Sequence, residues 1–280
     1  MKAALSCLIV LLAGLLSIPV QAQEPFVLYD DFAGTSIDVN KWFGYEVRIG
    51  NPVILENVRM IKGRYLYMAA GAYGDQDSGS ASGAATRLYF NEGDLVTAIK
   101  ARVSVDQVSA EGCSTNLNVT QARVRLSGYF FNTTADPTPG SRFNDVYAYI
   151  YIERRSDSTE NPNILHVRGW VTKCTDSDCT SSSPLFNQDL GTVRLGRFVE
   201  ISIQWDQPNH RFIFQLDNNQ PVYADYTDIV TDTSPPGSAN DKRIEVFHNL
   251  PNCIPDAEPR PMGMMGVYFD KVYVNQSAVQ

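Results

Sequence analysis

The chain has 280 residues, of which 44% are hydrophobic and 19% are charged, and its formal net charge is −8. A chain with this negative balance is a poor candidate for binding nucleic acid or an anionic membrane surface. Its length suits one large domain or two small ones, with ample apolar side chains for a core.

The first residues predict a targeting segment. Lys2 is the only charge before a long apolar run, which ends in the small residues of Val20-Gln21-Ala22. This pattern is typical of a signal peptide, so we predict a signal peptide over residues 1–22 and a single mature domain over residues 23–280. An uncleaved membrane anchor is the weaker interpretation, because Pro19 interrupts the apolar run. We expect the protein to be secreted, periplasmic or at the cell surface, with no membrane span after cleavage.

The cysteines beyond this segment predict disulfides. They are even in number in an exported chain, and four cysteines allow three pairings. We favour Cys174–Cys179, which closes a short loop, and this leaves Cys113 with Cys253. Metal binding is the weaker alternative, because no second C-x-x-C or pair of histidines accompanies the cysteines.

Strand and turn patterns fill the chain from Phe26 onward, and no stretch predicts an amphipathic helix of three turns. We predict strands at Phe26–Phe32, Val53–Ile61, Tyr65–Ala69, Ala85–Phe90, Leu95–Val105, Ala122–Phe131, Val146–Arg155, Leu165–Thr172, Gly191–Val193, Val199–Trp205, Arg211–Asp217, Ile244–His248 and Met265–Val274. Many antiparallel strands without an internal repeat or a long linker favour an all-β sandwich of two antiparallel sheets.

Three neighbouring strands have two different faces. In Val146–Arg155, for example, three tyrosines and a glutamate alternate with Ala148, Ile150 and Ile152. We predict that the strands lie in one sheet and share a surface formed by Arg123, Arg125, Tyr129, Tyr147, Tyr149, Tyr151, Glu153, His166, Arg168 and Trp170. Lys100 and Arg102 would add two cations if their strand lay beside the others. By contrast, Trp42 and Trp205 are predicted to pack in the core.

Both ends of the chain carry motifs. Near the start, the run from Leu28 to Asp38, L-Y-D-D-F-A-G-T-S-I-D, leads to Lys41-Trp42, and Gly266–Val274 reads G-V-Y-F-D-K-V-Y-V. These motifs resemble the opening D-D-F-x-G-T-x-L-D…W and the closing G-x-x-x-D-x-V-x-V of concanavalin A-like lectin/glucanase domains. The resemblance implies a jelly roll of two antiparallel sheets that binds its ligand on the concave sheet. It also implies a structural calcium ion where the first and last strands meet, with Asp270 as a ligand; a capped or ion-paired aspartate is the alternative.

The catalytic motif of that superfamily's glycosidases does not carry over. It reads Glu-x-Asp-x-x-Glu on one strand and places two carboxylates beside the glycosidic bond. The nearest match, Glu92-Gly93-Asp94, lacks the final carboxylate, and Glu153 is alone in its strand. We therefore assign no catalytic residue and favour a protein that is not an enzyme. If it is an enzyme, we expect a polysaccharide lyase acting on a uronate-containing glycan, because arginines, tyrosines and a histidine suit that chemistry.

The predicted face fits carbohydrate recognition. Tyrosine and tryptophan rings pack on the apolar faces of sugars, and the planar fork of arginine can hold a carboxylate or a sulfate. We therefore expect a lectin-like, carbohydrate-binding protein whose partner is a polysaccharide, possibly an anionic one. The alternatives are a structural or adhesive surface protein, and a solvated sheet face on which these residues are simply good strand formers.

Overall fold

A computed structural model describes residues 24–76, 81–229, 231–237, 241–254 and 259–279. The predicted signal peptide over residues 1–22 lies outside the described residues. Across the described ranges, no helix has the length and apolar character that crossing a membrane requires.

The described residues are almost entirely strand and turn. The strands are β1 Phe26–Asp30, β2 Trp42–Phe43, β3 Glu46–Ile49, β4 Val53–Lys62, β5 Tyr65–Tyr73, β6 Ala81–Phe90, β7 Ala98–Glu111, β8 Gln121–Asn132, β9 Asp145–Arg155, β10 Ile164–Cys174, β11 Ser182–Arg194, β12 Val199–Asp206, β13 Arg211–Leu216, β14 Val222–Asp225, β15 Lys242–Pro251 and β16 Met262–Asn275. Single 3-10 turns lie at Gly93–Leu95, Gln207–Asn209 and Gln276–Ala278.

The strands form two sheets in which every paired strand runs antiparallel to its neighbour. The first sheet has the order β14-β13-β12-β7-β16-β5-β4, with β1 also paired to β16. The second sheet has the order β11-β10-β9-β8-β15-β6-β2, with β3 also paired to β6. The predicted all-β sandwich of two antiparallel sheets is confirmed.

The core lies between the two sheets because each strand turns alternate, apolar side chains inward. Leu126 on β8 and Ile150 on β9 are fully buried in one cluster with Ile203 on β12 of the other sheet. Burying an aliphatic side chain of this size contributes about 1.5–3 kcal/mol. The packing role predicted for the two tryptophans is confirmed: Trp42 is 2% exposed, and the partly buried Trp205 packs against the same core.

Two disulfides connect the described cysteines. Cys174 at the end of β10 is bonded to Cys179, and Cys113 after β7 is bonded to Cys253 after β15. Both pairings agree with the sequence-based prediction. The short disulfide loop projects beside β9 and therefore helps to shape the surface described below.

Lys100 and Arg102 do not join the shared face, because their strand does not lie beside the three central strands. Both lie on β7, which pairs with β12 and β16 in the first sheet, whereas the three central strands lie in the second. Lys100 forms an ion pair with Glu200, and Arg102 forms one with Asp270. Alternation along a strand predicts which residues share a face of that strand, but it does not predict the sheet to which the strand belongs.

The first and last strands meet, as the resemblance implies, because β1 pairs with β16. Asp270 lies on β16, and its carboxylate is held by the guanidinium of Arg102. This contact corresponds to the alternative interpretation, in which Asp270 is an ion-paired aspartate. The Arg102 guanidinium would compete with a calcium ion for the same carboxylate oxygens. Within the described residues there is no group of three or more His, Cys, Asp or Glu residues that could hold a metal. A calcium ion at Asp270 stays a prediction.

Candidate functional site

Strand register brings the predicted site residues together on the outer face of the second sheet. Strand β9 lies between β8 and β10, and Tyr151 is directly opposite both Arg125 and Arg168. On the same strands, Tyr149 is opposite Trp170. All ten predicted residues therefore share one surface, which we call the tyrosine–arginine face: Arg123, Arg125, Tyr129, Tyr147, Tyr149, Tyr151, Glu153, His166, Arg168 and Trp170.

A continuous row of aromatic rings follows β9 along this face. The ring centroids of Tyr147 and Tyr149 are 5.1 Å apart, and those of Tyr149 and Tyr151 are 5.5 Å apart. Tyr129 extends the row at 4.7 Å from Tyr147, and Trp170 stacks beside Tyr149 with only 10° between the ring planes. The row gives the face a rigid apolar surface between its charged groups.

Arginines lie over the rings of this row. The guanidinium of Arg125 is 5.3 Å from the centroid of Tyr149, and that of Arg123 is 4.9 Å from the centroid of Tyr151. A cation at this distance from a ring face is attracted by its quadrupole, by about 0.5–2 kcal/mol. The arginines and tyrosines therefore hold one another in place before any ligand binds.

The face is packed and only partly open to solvent. Tyr151 is 2% exposed and Arg125 is 6% exposed, whereas Tyr149, Arg168 and Trp170 are half-buried. The half-buried side chains can contact a ligand directly, and the buried ones position them. A simple solvated sheet face does not account for this burial.

Two strands that the sequence analysis did not assign to the face complete it. Strand β15 lies between β8 and β6 and adds Arg243 and Glu245, and β6 adds Arg87 and Tyr89. The signal was present, because Arg243 and Glu245 alternate with the core residue Ile244. It was missed because the predicted strand began at Ile244, one residue after the arginine.

Glu245 is the centre of the charge network. It is fully buried, its Oε2 accepts a hydrogen bond of 2.8 Å from Arg87, and its Oε1 accepts one of 3.0 Å from Ser127. The guanidiniums of Arg125 and Arg243 lie 2.9 and 3.1 Å from the same Oε1. Burial raises the pKa of Glu245, but the surrounding arginines outweigh it and hold the pKa well below its usual value. Glu245 therefore stays ionised and anchors the arginines.

A cleft of about 540 Å³ opens on the face beside this network. Tyr147 and Tyr149 line it, and one side is formed by the disulfide loop through Asp178, Cys179 and Thr180. Four arginines, Arg87, Arg125, Arg142 and Arg243, and two aspartates, Asp178 and Asp241, also line it. Among the residues that the structure describes, the positive groups of the cleft outnumber the negative ones even with the buried Glu245 included. The cleft is a local cationic site on an acidic protein.

The far end of the face contains a second, smaller hollow of about 320 Å³, lined by Glu153, His166 and Arg168 among others. The imidazole of His166 contacts Glu160 through Nε2 at 2.8 Å and Asp189 through Nδ1 at 3.0 Å. Burial lowers the pKa of His166, but the two carboxylates outweigh it and raise the pKa overall. This end of the face therefore gains positive charge as the pH falls.

Tyr149 and Tyr129 are neutral hydrogen-bonding groups of the cleft. Burial raises the pKa of Tyr149, and the nearby Arg123 and Arg125 offset that rise only in part. Burial likewise raises the pKa of Tyr129. Each phenol therefore keeps its proton at neutral pH and can donate it in a hydrogen bond to a ligand oxygen.

Sequence comparison finds no similar protein: no family model matches the chain, and neither does any curated protein. Solved structures do match. The catalytic domain of an endo-1,3-β-glucanase (laminarinase) from Thermotoga petrophila is 15% identical, with a TM-score of 0.44 and coverage of 90% of this chain and 99% of that one. The laminarinase from Rhodothermus marinus is 15% identical, with a TM-score of 0.40 and coverage of 90% and 98%. A glycoside hydrolase family 16 endo-glucanase from Bacteroides ovatus is 11% identical, with a TM-score of 0.39 and coverage of 87% and 97%.

These comparisons correct one expectation from the sequence. We favoured a protein that is not an enzyme, and a polysaccharide lyase over a glycoside hydrolase if it were one. The similar solved structures are described as endo-glucanases and laminarinases, which are hydrolases. The expectation of a protein that is not an enzyme, or of a lyase, is therefore wrong.

The motifs at the two ends of the chain lie on strands that meet in the first sheet. The opening motif lies on and after β1, the closing motif lies on β16, and these strands pair as a jelly roll requires. The chain is a sandwich of two antiparallel sheets, and the motifs at its two ends resemble those of concanavalin A-like lectin/glucanase domains.

Proposed function

We propose that the tyrosine–arginine face binds a polysaccharide that carries carboxylate or sulfate groups. The observation that supports this most strongly is the cleft in which four arginines lie among stacked tyrosines with fewer carboxylates to neutralise them. Rings provide a surface for the apolar side of a sugar, and guanidiniums hold anionic oxygens in a planar fork.

The arrangement along the strands supports an extended ligand. The cleft lies around Tyr147 and Tyr149, and the smaller hollow lies around Glu153, His166 and Arg168 on the same two strands. Trp170, stacked on Tyr149, belongs to the half-buried surface between them. Several sugar units could therefore contact the face at once, which suits a polymer better than a single sugar. The two disulfides fit an oxidising compartment outside the cytosol, where such polymers occur.

We expect Tyr149→Ala and Arg142→Ala each to weaken binding of an anionic polysaccharide about tenfold or more, because each removes a half-exposed anchor of the cleft. The measurement is affinity gel electrophoresis with polygalacturonate or dextran sulfate in the gel. Binding should weaken as salt is added, because part of the attraction is between charges. Tyr223→Ala is the matched control, since Tyr223 is an exposed tyrosine on the first sheet. Equal retardation of the parent chain and both cleft variants would exclude the cleft as the binding site.

Hydrolysis of the bound chain is the second function that we propose. Among the described residues, Asp178 and Asp241 carry the carboxylates that line the cleft. Arg142 contacts both residues: it donates to the backbone oxygen of Asp178 and to the carboxylate of Asp241. Glycoside hydrolysis uses two carboxyl groups on either side of the scissile bond. Solved structures similar to this chain are described as laminarinases and endo-glucanases, which supports a proposal of hydrolysis.

A reducing-sugar assay tests this second proposal on the same panel of polysaccharides. We expect new reducing ends with the parent chain, and at least about a 100-fold lower rate with Asp241→Asn or Asp178→Asn while gel retardation persists. Glu46→Gln serves as the control, because Glu46 is an exposed acidic residue on β3 and does not line the cleft. Retardation without any new reducing ends would reject hydrolysis and leave the binding proposal standing.

A further inference from the structure

A hollow of about 450 Å³ lies on the outer face of the first sheet, on the side of the sandwich opposite the tyrosine–arginine face. Three aromatic residues, Tyr65, Phe198 and Tyr268, line it. Tyr65 and Tyr268 lie next in sequence to the core residues Leu66 and Phe269, so their own side chains point outward. The rings therefore fill no part of the core.

Tyr65 contacts both of the other rings, and all three are half-buried. Tyr65 stacks on Phe198 with centroids 5.4 Å apart and 30° between the planes, and it meets Tyr268 edge-on at 6.0 Å. Tyr67 adds a fourth ring at 4.9 Å from Tyr268. An aromatic cluster on the solvent side of a sheet is an apolar surface that a ligand can cover.

The polar groups around the hollow balance in charge. The Lys62 ammonium lies 5.0 Å from the centroid of Tyr67, and the carboxylate of Asp106 lines the same hollow. Arg102 lies over Phe198 at 4.7 Å, and its charge is matched by Asp270. Two cations thus face two carboxylates, in contrast to the cleft on the other sheet. This balance favours a neutral ligand.

Two glycine turns border the hollow and leave it open. Gly63 and Gly196 have φ values of +71° and +76°, and a Cβ at either position would meet no atom within 4 Å. The buried Ser104 lines the hollow between the aromatic residues, so a hydroxyl is available among the rings. A ring-sized ligand can therefore enter without displacing the backbone.

We propose that this hollow binds a neutral sugar unit of a polysaccharide, as a second site independent of the cleft. A pyranose ring offers an apolar face to Tyr65, Phe198 and Tyr268, and hydroxyls to Lys62 and Asp106. The volume lies in the range of about 300–1,000 Å³ found for small-ligand pockets.

Affinity gel electrophoresis with a neutral polysaccharide tests the proposal on the full chain. The probes are mixed-linkage β-glucan, xyloglucan and galactomannan, each embedded in a separate gel. We expect at least one of them to retard the parent chain, and Phe198→Ala or Tyr268→Ala to weaken that binding about tenfold. Asp106→Ala, at an exposed residue, should weaken it by a smaller factor without disturbing the core. Tyr223→Ala, which removes an exposed ring elsewhere on the same sheet, should bind as the parent does.

Three results would overturn this second site. The first is that none of the three neutral polysaccharides retards the parent chain. The second is that the Phe198→Ala and Tyr268→Ala variants bind a neutral polysaccharide as tightly as the parent. The third is that Tyr149→Ala abolishes neutral binding, which would place the neutral binding site in the cleft. A parent dimer that Phe198→Ala converts to a monomer, measured by light scattering, would instead assign the hollow to a second copy of the chain. The test of the hollow is independent of the test of the cleft. A chain that does not bind anionic polysaccharides can still bind neutral ones, and a chain that does not bind neutral polysaccharides can still bind anionic ones.

Discussion

Glu245→Gln is expected to lower the free energy of unfolding by about 3–5 kcal/mol, the typical cost of removing one partner from a buried ion pair. The carboxylate is fully buried and lies within 3.1 Å of the nitrogens of Arg87, Arg125 and Arg243. An amide of the same shape can still accept hydrogen bonds, but it removes the counter-charge that Arg87 and Arg125 share, and it leaves Arg243 with Asp241 alone. Denaturant unfolding at neutral pH measures the change.

Glu200→Gln is the matched control for this change. Glu200 also pairs with a cation, Lys100, but both side chains are partly exposed on the first sheet. Pairs of that kind contribute about 0–1 kcal/mol. If Glu245→Gln costs no more than Glu200→Gln, the network around Glu245 does not anchor the tyrosine–arginine face.

The acid sensitivity of Glu245 gives a second readout. Its folded pKa is depressed below the usual glutamate value near 4.5. Its stabilising contribution is therefore present above about pH 4.5 and is lost as the pH falls below that value, where the unfolded chain takes up the proton first. The difference in the free energy of unfolding between the parent and Glu245→Gln should therefore shrink as the pH falls below about 4.5.

Much of the face could be predicted from the sequence because β-strand alternation is a strict period of two. Tyr147, Tyr149 and Tyr151 follow that period without interruption, so the rings had to share one side of β9. The opposite face of the same strand, with Ala148 and Ile150, matched the observed core. Local pattern was sufficient for these assignments.

The sheet order could not be predicted in the same way, because it depends on contacts distant in the chain. Strand β15 inserts between β6 and β8, and Glu245 is paired to Arg87 across 158 residues. Strand β7 has the same alternation as the central strands but pairs into the other sheet. Only Gly191–Val193 was predicted in β11, because the rest of this edge strand, Ser182–Leu190, is rich in polar residues and shows no apolar period.

Burial was equally hidden from the sequence, and it changes the chemistry of the face. A pattern of tyrosines and arginines is compatible with a solvated surface, yet Tyr151 is 2% exposed and Glu245 is fully buried. Arg123 lies over the ring of Tyr151, and Arg125 forms an ion pair with Glu245. The face is thus a preorganised layer in which charged groups are already paired, and a ligand meets positions that are fixed in advance.

A second large effect is expected at His248, whose imidazole is fully buried between the sheets. Its Nε2–H donates a hydrogen bond of 2.8 Å to the carbonyl oxygen of Ala70. On the other side, a Cβ at Gly263 would lie 3.0 Å from Cγ of the ring, so the backbone there closes over the imidazole. Nδ1 is buried and has no hydrogen-bond partner among the described residues. Burial lowers the pKa of His248 to about 4, and the Ala70 contact offsets only part of that shift.

The depressed pKa makes the protein less stable as the pH falls. Between the unfolded value of 6.5 and the folded value of about 4, the unfolded chain binds a proton that the folded chain does not bind. The free energy of unfolding should therefore decrease by about 3 kcal/mol across this window, at about 1.4 kcal/mol per pH unit, with no further loss from this group below pH 4. The window lies mostly above that of Glu245, so the two effects can be separated.

His248→Gln is expected to remove this part of the acid sensitivity, since the glutamine amide can still donate to Ala70 but does not titrate. Denaturant unfolding at intervals from pH 7 to pH 4 measures the slope for the parent and the variant. His166→Gln is a control of opposite sign, because the raised pKa of His166 adds stability below pH 6.5 that is lost as the pH rises through the folded pKa. Removing His166 should thus steepen the acid loss, whereas removing His248 should flatten it. Parallel profiles for the parent and His248→Gln would show that the buried imidazole takes up its proton in the folded chain as readily as in the unfolded one.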